Sequence, residues 1–448
     1  MLKQFQNHAE REAIIWQEKS YTYHWLIEAV QHWQMELDRQ NVYNHSVVSL
    51  EADFSPNAIA ILLALLQKNC LVVPLVHYSS LKTFDKLDVS QAEHRIRMNE
   101  HDEVGLEHTG VIANHELYTQ LRGLQHPGLV LFTSGSAGRF KAAVHDFEKL
   151  IDKFRLLRRP YRTLPFLLFD HIGGINTLLY VLSNGGCIVS IQDRTPDAVL
   201  QMIEKYQVQL LPATPTFLNL IFLSEAYKRY PVPSLELVTY GTEPMPEQTL
   251  LRFREIYPHV RLQQTYGLTE VGILRTKSKT SDSVWMKVGG EQFQTRVSDG
   301  MLEIKAESAM IGYLNAPSPF TEDGWFKTGD AVEVDGEYMK ILGRQTEIIT
   351  VNGENVYPAI VESVLQAFPN VEDAVVYGEE NPLSGQIVCA EIKMKEPYDD
   401  KALRSELLQH CQNHLKPHEV PTRFKFIDTI YISERFKKFR NARLVGTE

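Results

Sequence analysis

The amino-acid sequence predicts an α/β protein, with a large N-terminal domain of mixed sheets and helices and a small α+β C-terminal domain. Its 448 residues exceed the roughly 250 to 300 at which a single hydrophobic core stops growing. Short β-branched runs alternate with longer segments of helical periodicity, which favours a sheet with a parallel component. A composition of 44% hydrophobic and 23% charged residues excludes a disordered or collagen-like chain.

The N-terminal elements follow this alternation in order. From Glu12 to Pro74 a strand-like segment leads into an amphipathic helix and then into the runs "SVVSLEA" and "CLVVPLV". The apolar run Ala58–Leu66 is too short to span a bilayer and predicts a buried helix. Further on, we expect helices at 195–206 and around 217–227, separated by the strand "VQLLPAT" and followed by the strand "LELVTYGTE".

The C-terminal part of the sequence has a different texture. After Gly300 the chain reads as short strands and tight turns, and beyond Arg344 as a small α+β domain of about a hundred residues. We place the boundary at Gly343 to Glu347. The predicted domains are therefore residues 1–343 and 344–448.

Charge and cysteine content limit the partners and the compartment. The net charge of -10 argues against a nucleic-acid partner, which would need clustered Lys and Arg. The four cysteines lie far apart without a CxxC pair, and the N-terminus has no apolar core of signal-peptide length. We expect reduced cysteines, a cytoplasmic protein and no membrane span.

One loop carries the first chemical signal. In "LVLFTSGSAGRFKAAVHD", Leu129–Asp146, a strand leads into small hydroxyl and glycine residues and then a lysine. Backbone N–H groups can approach phosphate oxygens closely where side chains are small. The GxxxxGK[ST] pattern fails, because Phe140 and Ala142 stand at its glycine and Ser/Thr positions. Taken alone, the loop indicates either another kind of phosphate cradle or a flexible surface turn.

Three further motifs follow in order: "QQTYGLTEVG", "GWFKTGDAVEVDGEYMKILGR" and "TVNGENVYPAIVESVL". With them the chain resembles the adenylate-forming superfamily of acyl-CoA synthetases, aryl-CoA ligases, peptide-synthetase adenylation domains and luciferases. The resemblance extends from "YTYHWL" near Tyr21 to "FKKFR" near Arg440. It implies a fold in which the small C-terminal domain is mobile and acts as a lid.

The resemblance implies an ATP site. Tyr266 would stack on adenine, Thr269 would contact the α-phosphate, and Glu270 would bind Mg²⁺, a hard ion that prefers oxygen ligands. Asp330 would hold both ribose hydroxyls, supported by Arg344. The triphosphate would be bound by Thr133, Ser134, Gly135, Ser136, Gly138 and Lys141. The adenine and acyl pocket would be formed by Gly241, Thr242, Glu243 and Gly267.

The catalytic lysine of the family corresponds to Lys437 in "SERFKKFR", and the arginine three residues later is Arg440. Lys438 is adjacent and stays an alternative. The positions at which the sequence departs from the family pattern include Ala137, Phe140, Thr346 and Phe436.

The implied activity is adenylation of a carboxylic acid by ATP, followed by transfer of the acyl group to a pantetheine thiol of coenzyme A or of an acyl carrier protein. The small domain would rotate between the two steps about a hinge at Gln345–Glu347. A catalytically impaired relic that binds nucleotide or acyl ligand is the alternative of another class. Against it, the residue types that the chemistry needs are kept at Lys141, Glu270, Asp330, Arg344 and Lys437.

The stretch "LLFDHIGGINTLLYVLSNGG" bears on the acid. Asp170 would suit the ammonium of an amino acid, as in amino-acid-activating relatives. His171, however, lies fourteen residues before Gly185, as the corresponding histidine of acyl- and aryl-CoA ligases does. We therefore expect an acid without an α-amino group and a pocket gated by His171. Aliphatic and aromatic acids both stay open.

Overall fold

The computed structural model describes residues 2–76, 80–134, 140–280, 283–290, 292–396, 400–433, 435–438 and 440. The predictions for Gly135, Ser136, Ala137 and Gly138 lie outside the described residues. Of Ser134 only the backbone is described. The predicted α/β class with a large N-terminal and a small C-terminal domain is confirmed.

The strands, in chain order, are β1 (Glu12–Trp16), β2 (Lys19–Thr22), β3 (Val47–Glu51), β4 (Leu71–Leu75), β5 (His94–Met98), β6 (Val104–His108), β7 (Gly128–Ser134), β8 (Phe140–Asp146), β9 (Arg162–Thr163), β10 (Cys187–Val189), β11 (Leu210–Ala213), β12 (Leu237–Tyr240), β13 (Arg261–Gln264), β14 (Tyr266–Leu268), β15 (Gly272–Leu274), β16 (Thr276–Ser278), β17 (Met286–Val288), β18 (Phe293–Ser298), β19 (Met301–Ala306), β20 (Gly312–Tyr313), β21 (Phe326–Asp335), β22 (Tyr338–Arg344), β23 (Ile349–Val351), β24 (Glu354–Val356), β25 (Val371–Asn381), β26 (Gly385–Met394) and β27 (Arg423–Phe426).

The α-helices are α1 (Leu2–Phe5), α2 (Tyr23–Arg39), α3 (Pro56–Gln67), α4 (Ser80–Ser90), α5 (Glu116–Leu124), α6 (Phe147–Ile151), α7 (Ile172–Ser183), α8 (Pro196–Tyr206), α9 (Pro215–Leu223), α10 (Ala226–Arg229), α11 (Glu247–Ile256), α12 (Pro358–Gln366) and α13 (Asp400–His414). Short 3-10 helices occupy Gln6–His8, Asp152–Phe154 and Gln345–Glu347.

Two large sheets form the N-terminal domain. One has the strand order β13-β12-β11-β9-β10-β1-β2 and is parallel except for its β2 edge, and the other has the order β20-β8-β7-β4-β3-β5-β6. Helix α3 is buried along nearly its whole length, as the run Ala58–Leu66 predicts. No helix in the described part of the chain is long and apolar enough to cross a membrane.

Local capping sets where several helices begin. Ser55, Thr195 and Thr214 each accept a hydrogen bond at an N-cap, and each is followed by a proline in the first helical turn. The helix expected around 217–227 is broken into α9 and α10, which corrects that prediction. Glu225 between them adopts a left-handed φ of 53°, which ends one helix before the next begins.

A six-stranded antiparallel sheet of order β16-β17-β22-β21-β19-β18 completes the N-terminal part. Strand β22 ends at Arg344, the 3-10 turn Gln345–Glu347 follows, and the C-terminal sheet begins at Ile349. That sheet has the order β24-β23-β26-β25, with β27 pairing β26, and α12 and α13 belong to the same part of the chain. The predicted boundary at Gly343 to Glu347 stays a prediction, and its residues belong to the end of β22 and to this 3-10 turn.

Candidate active site

Three residues expected at the adenosine end of an ATP site are in direct contact. The Tyr266 hydroxyl donates a hydrogen bond to Asp330 Oδ2 at 2.5 Å, and Arg344 Nε lies 2.7 Å from Asp330 Oδ1. Asp330 is buried, and this burial raises its pKa while the Arg344 guanidinium opposes the shift. The carboxylate is thus held in place by a phenol and a cation.

Strand pairing explains this contact. Asp330 on β21 and Arg344 on β22 are direct cross-strand partners, and the register shifts by one residue just beyond them, between Ala331 and Val332. Cross-strand neighbours place their side chains within reach of each other. Gly267, beside Tyr266, has a packing role of its own, because a Cβ there would lie 2.6 Å from the Ile273 side chain.

Glu270 contacts a second tyrosine, Tyr313. Its Oε1 accepts a hydrogen bond of 2.7 Å from the Tyr313 hydroxyl, and Lys141 Nζ lies 5.4 Å from the centre of the Tyr313 ring. Tyr313 therefore bridges the carboxylate expected to bind Mg²⁺ and the lysine expected to bind phosphate. Thr269 is adjacent to Glu270 in the turn that follows β14.

The described ends of the small-residue loop belong to a hairpin. Thr133 on β7 pairs with Lys141 on β8, and Ser134 pairs with Phe140. The two described residues that flank the loop, Ser134 and Phe140, thus lie opposite each other on two antiparallel strands. The Phe140 ring lies 4.7 Å from the buried Lys86 ammonium, so this departure from the family pattern has a packing partner.

The segment Tyr240–Pro244 follows β12 and carries a strained residue. Thr242 has a φ of 74°, which is an outlier for a β-branched residue and a frequent feature of functional sites. Among the described residues its buried hydroxyl has no hydrogen-bond partner. Position 241 has no room for a side chain, since a Cβ on Gly241 would lie 2.7 Å from Thr265 O. The free hydroxyl is available to a ligand.

Glu243 is fixed at the start of a helix. Its Oε1 accepts a hydrogen bond of 2.8 Å from the backbone N–H of Thr216 in the first turn of α9. Such N-terminal N–H groups favour a carboxylate. Burial nevertheless raises the pKa of Glu243, with Thr216 and the positive charge of Lys437 opposing the shift.

His171 lies at the start of α7. Its Nδ1 accepts a hydrogen bond of 3.0 Å from Gly173 N, so the imidazole acts as an N-cap. Burial and the nearby Arg435 and Lys437 hold the pKa of His171 well below its usual value, and the ring is neutral. Gly174 allows the close turn, because a Cβ there would lie 2.0 Å from Leu168 O.

The segment that contains Lys437 reaches this region as a tight turn. Phe436 N donates to Ser433 O at 2.8 Å, Lys437 N donates to Ser433 Oγ at 3.1 Å, and an isolated bridge joins Ile432 to Lys438. We call the described residues 432, 433 and 435–438 the C-terminal turn. Its tip lines a small cavity together with the N-terminal domain, and the lining consists of Phe166, Leu167, Leu168, His171, Thr214, Thr242, Arg435, Phe436 and Lys437.

The two adjacent lysines have different surroundings. Lys437 faces the cavity, and burial lowers its pKa while the Glu243 carboxylate partly offsets the shift. Lys438 Nζ instead lies 2.5 Å from Asp373 Oδ1 and donates to Ala374 O at 3.2 Å. Asp373 and Ala374 belong to β25 of the C-terminal domain. Only Lys437 of the pair faces the predicted site.

Arg440 contacts the connection between the domains. Its guanidinium pairs with Glu362 at 2.9 Å and with Glu347 at 2.6 Å. Glu347 lies in the 3-10 turn that follows β22. The contact fixes this arginine against the predicted hinge and away from the cavity lining.

The comparisons with known proteins identify the family. The sequence model of the AMP-binding enzyme matches residues 1–290, and that of the AMP-binding enzyme C-terminal domain matches residues 360–437. The chain belongs to the AMP-binding enzyme family. The expected family and enzyme class are thereby confirmed.

Among its relatives in this family is a 2-succinylbenzoate–CoA ligase of Bacillus licheniformis, 29% identical over 332 residues, which are 68% of this chain and 67% of the relative. An indoleacetate–CoA ligase of Aromatoleum aromaticum is 27% identical over 336 residues, 69% of this chain and 65% of the relative. The matched regions thus span about two thirds of these relatives. The solved o-succinylbenzoate CoA synthetase of Bacillus subtilis, in complex with its acyl-adenylate intermediate, has the same fold, with a TM-score of 0.77, 22% identity and coverage of 99% of this chain and 97% of that one.

Three residues of the site are not among the candidates that the sequence indicates. They are Tyr313, Arg435 and Thr214, and each contacts a site residue that lies far away in sequence. Arg435 Nη2 lies 2.9 Å from Asp170 Oδ2, a pair separated by 265 residues. A single sequence gives no indication of such pairings, whereas the motif residues are recognisable from their immediate neighbours.

Proposed function

We propose that this AMP-binding enzyme is an acid–thiol ligase, which adenylates a carboxylic acid with ATP and transfers the acyl group to coenzyme A. One observation carries the proposal. Lys437 of the C-terminal domain lines a small cavity together with His171 and Thr242, and its charge also acts on Glu243 and on Asp330. The residues expected to hold the acid and the nucleotide therefore converge on one cation.

The first step follows from the chemistry of a carboxylate. One carboxylate oxygen attacks the α-phosphorus of ATP, a P–O bond forms, and the bond from that phosphorus to the bridging oxygen breaks, releasing pyrophosphate. Negative charge develops at the α-phosphate, and a fixed cation in a water-poor site stabilises it most effectively. Lys437 supplies that cation, and the Thr242 hydroxyl, which has no hydrogen-bond partner among the described residues, supplies a donor.

The nucleotide is held by the residues described above. Asp330, fixed by Tyr266 and Arg344, accepts hydrogen bonds from the ribose, since a carboxylate has lone pairs for several donors. Lys141 and the loop that begins after Thr133 bind the β- and γ-phosphates. Support comes from the position of Lys141 at the loop end of the β7–β8 hairpin.

A magnesium ion fits this arrangement. In the described residues no group of three or more acidic, His or Cys side chains could hold a metal alone. Mg²⁺ bound to a nucleotide typically uses one or two protein carboxylates together with phosphate oxygens and water. Glu270 is such a carboxylate, and its Oε1 is oriented by the Tyr313 hydroxyl. Bound there with ATP, the ion would neutralise phosphate charge.

The second step needs a thiol. The sulfur attacks the acyl carbonyl, a C–S bond forms, the C–O bond to AMP breaks, and the thiol proton passes to solvent. We propose rotation of the C-terminal domain about Gln345–Glu347 to remove Lys437 and admit the thiol. The connection is short, and Arg440 contacts Glu347 within it. Coenzyme A is the preferred acceptor, because the relatives are CoA ligases. A carrier-protein phosphopantetheine is the alternative.

The acid is proposed to lack an α-amino group. Asp170, the residue that would meet a substrate ammonium, already forms an ion pair with Arg435 and is nearly fully buried. The neutral His171 beside it suits an acid whose remaining part, apart from the carboxylate, is uncharged and apolar. The relatives' names include aromatic acids and long-chain fatty acids, and we propose an acid of one of these two classes.

We also propose a reducing, cytoplasmic location. The support is the state of the cysteines, since Cys70, Cys187, Cys389 and Cys411 are all buried and free. Buried free thiols persist where the compartment keeps them reduced.

The test of this function is direct. The protein is incubated with Mg²⁺, ATP, coenzyme A and a panel of fatty, aryl and amino acids, and AMP and thioesters are sought by mass spectrometry. We expect AMP and an acyl- or aryl-CoA with at least one acid. AMP without a thioester would favour a carrier-protein acceptor, and no AMP with any acid would indicate the relic and contradict the proposal.

A further inference from the structure

The C-terminal turn places an aromatic ring inside the N-terminal domain. The centroid of the Phe436 ring lies 4.7 Å from that of Phe166 and 5.5 Å from that of Phe217. The Thr214 hydroxyl donates a hydrogen bond of 3.0 Å to Phe436 O. Phe166 and Phe217 are core residues of the N-terminal domain, with exposures of 1% and 0%. One residue of the small domain therefore completes an aromatic cluster of the large one.

The backbone at Phe436 makes this placement notable. Its φ is 53°, in the left-handed region that glycine adopts freely and that costs other residues energy. The turn thus keeps a conformation suited to glycine, but a large side chain stands there. Since the turn would form more easily with glycine, the ring itself needs a role.

Little space is left beside this ring. The cavity between the C-terminal turn and the N-terminal domain has a volume of about 20 Å³. That is room for about one water molecule. His171 and Lys437 line the same cavity, so an acid that approaches Lys437 must share this space with the Phe436 ring.

We propose that Phe436 is a specificity-determining residue, a wall of the acid pocket carried by the C-terminal domain. The inference rests on the proposed function. Small acids displace the ring least, so Lys437 stays at the reaction centre. Bulkier acids displace the ring, and because Phe436 and Lys437 are adjacent in one tight turn, the displacement moves the lysine as well. The pocket therefore disfavours bulky acids in the adenylation step, in which Lys437 acts.

The test compares the wild-type protein with Phe436→Gly and Phe436→Leu. Rates of AMP formation are measured with a series of straight-chain acids graded from acetate to dodecanoate, and acid binding without ATP is measured by calorimetry. Phe222→Leu is the matched control, since Phe222 is buried in the same core but does not line the cavity. Glycine suits the left-handed backbone, so the turn should be retained in Phe436→Gly.

We expect the ratio of kcat/KM for the bulkiest to the smallest accepted acid to rise at least about tenfold in Phe436→Gly, less in Phe436→Leu and not in Phe222→Leu. A single methylene in an apolar pocket changes discrimination by about 10- to 200-fold. Calorimetry should show tighter binding of bulky acids to Phe436→Gly.

Two results would overturn the inference. One is that the ratio of kcat/KM for bulky and small acids, and the acid affinities, stay unchanged in both Phe436 variants. The other is that kcat/KM falls by the same factor with every acid while thermal stability is unchanged, which would assign the ring to domain closure. If the wild-type protein forms no AMP with any acid, the proposed function fails, and the calorimetric comparison still decides whether Phe436 limits the size of a bound acid.

Discussion

At the residue scale, the surroundings of Lys437 determine what it can do. Burial disfavours its charged form, and the Glu243 carboxylate partly restores it. A desolvated cation interacts more strongly with developing negative charge than one in water, because the local dielectric is lower. The same desolvation makes its charge sensitive to pH within a range that an exposed lysine would not reach.

This gives a prediction for the pH dependence of adenylation. The pKa of Lys437 is lowered from the usual 10.5, and the protonated form is the active one. The rate should therefore fall as pH rises through the lowered pKa, with an alkaline limb below 10.5. Initial rates of AMP formation, measured across pH, show where this decrease occurs. Lys437→Arg keeps its charge at high pH, so its rate should not fall in this range. The same decrease in Lys437→Arg would assign the titration to another group.

Asp330 gives a second prediction at this scale. Asp330→Asn keeps the shape but removes the charge that Tyr266 and Arg344 orient. Hydrogen bonds to charged groups contribute about 1.5 to 3 kcal/mol, so KM for ATP should rise by about 10- to 100-fold. KM for the acid should change little. A larger effect on the acid than on ATP in steady-state kinetics would contradict the ribose-binding role.

At the element scale, β8 contains a buried titratable residue. His145 is fully buried, and burial lowers its pKa from 6.5 to about 4. The unfolded chain therefore binds the proton more readily, and the stability contribution is present above about pH 6.5 and lost as pH falls towards 4. We expect a loss of roughly 2 to 3 kcal/mol across this window. Urea unfolding at several pH values measures it, and His145→Gln should flatten the slope; an identical slope in the variant would refute the assignment.

Elements also show what a single sequence can predict. Helices α8 and α9 begin where Thr195 and Thr214 precede a proline, and these signals are local. The motif residues Glu270 and Asp330 are recognisable for the same reason. The contact of Tyr313 with Glu270 depends on which strands become neighbours, and the left-handed Glu225 that breaks the helix expected around 217–227 has no sequence signal. Local preferences were predictable, and pairings between distant segments were not.

At the scale of the whole molecule, an ion pair joins the two domains. Arg435 of the C-terminal turn pairs with Asp170 of the N-terminal domain at 2.9 Å, with Asp170 almost fully buried. Removing one member of a buried ion pair leaves the other charge buried without its counter-ion, which destabilises the protein. Removing both charges destabilises it less. This pair favours the arrangement in which Lys437 faces the cavity.

The corresponding prediction is a double-mutant cycle. Arg435→Ala should slow AMP formation, and adding Asp170→Asn should restore part of the rate, because the buried charge is then gone. We expect a coupling free energy of about 0.5 to 3 kcal/mol. Additive effects of the two substitutions on the rate would show that the pair does not stabilise this arrangement. Unfolding curves of all variants separate this effect from general destabilisation.

The central claim is that Lys437 acts in ATP-dependent adenylation of an acid. The measurement that tests it most directly is acid-dependent exchange of labelled pyrophosphate into ATP, compared between wild type, Lys437→Ala and Lys438→Ala. We predict exchange that requires an acid and falls by about 10²- to 10³-fold in Lys437→Ala. Lys438→Ala should affect mainly stability, since Lys438 pairs with Asp373. Undiminished exchange in Lys437→Ala, or no acid-dependent exchange in the wild type, would contradict the account.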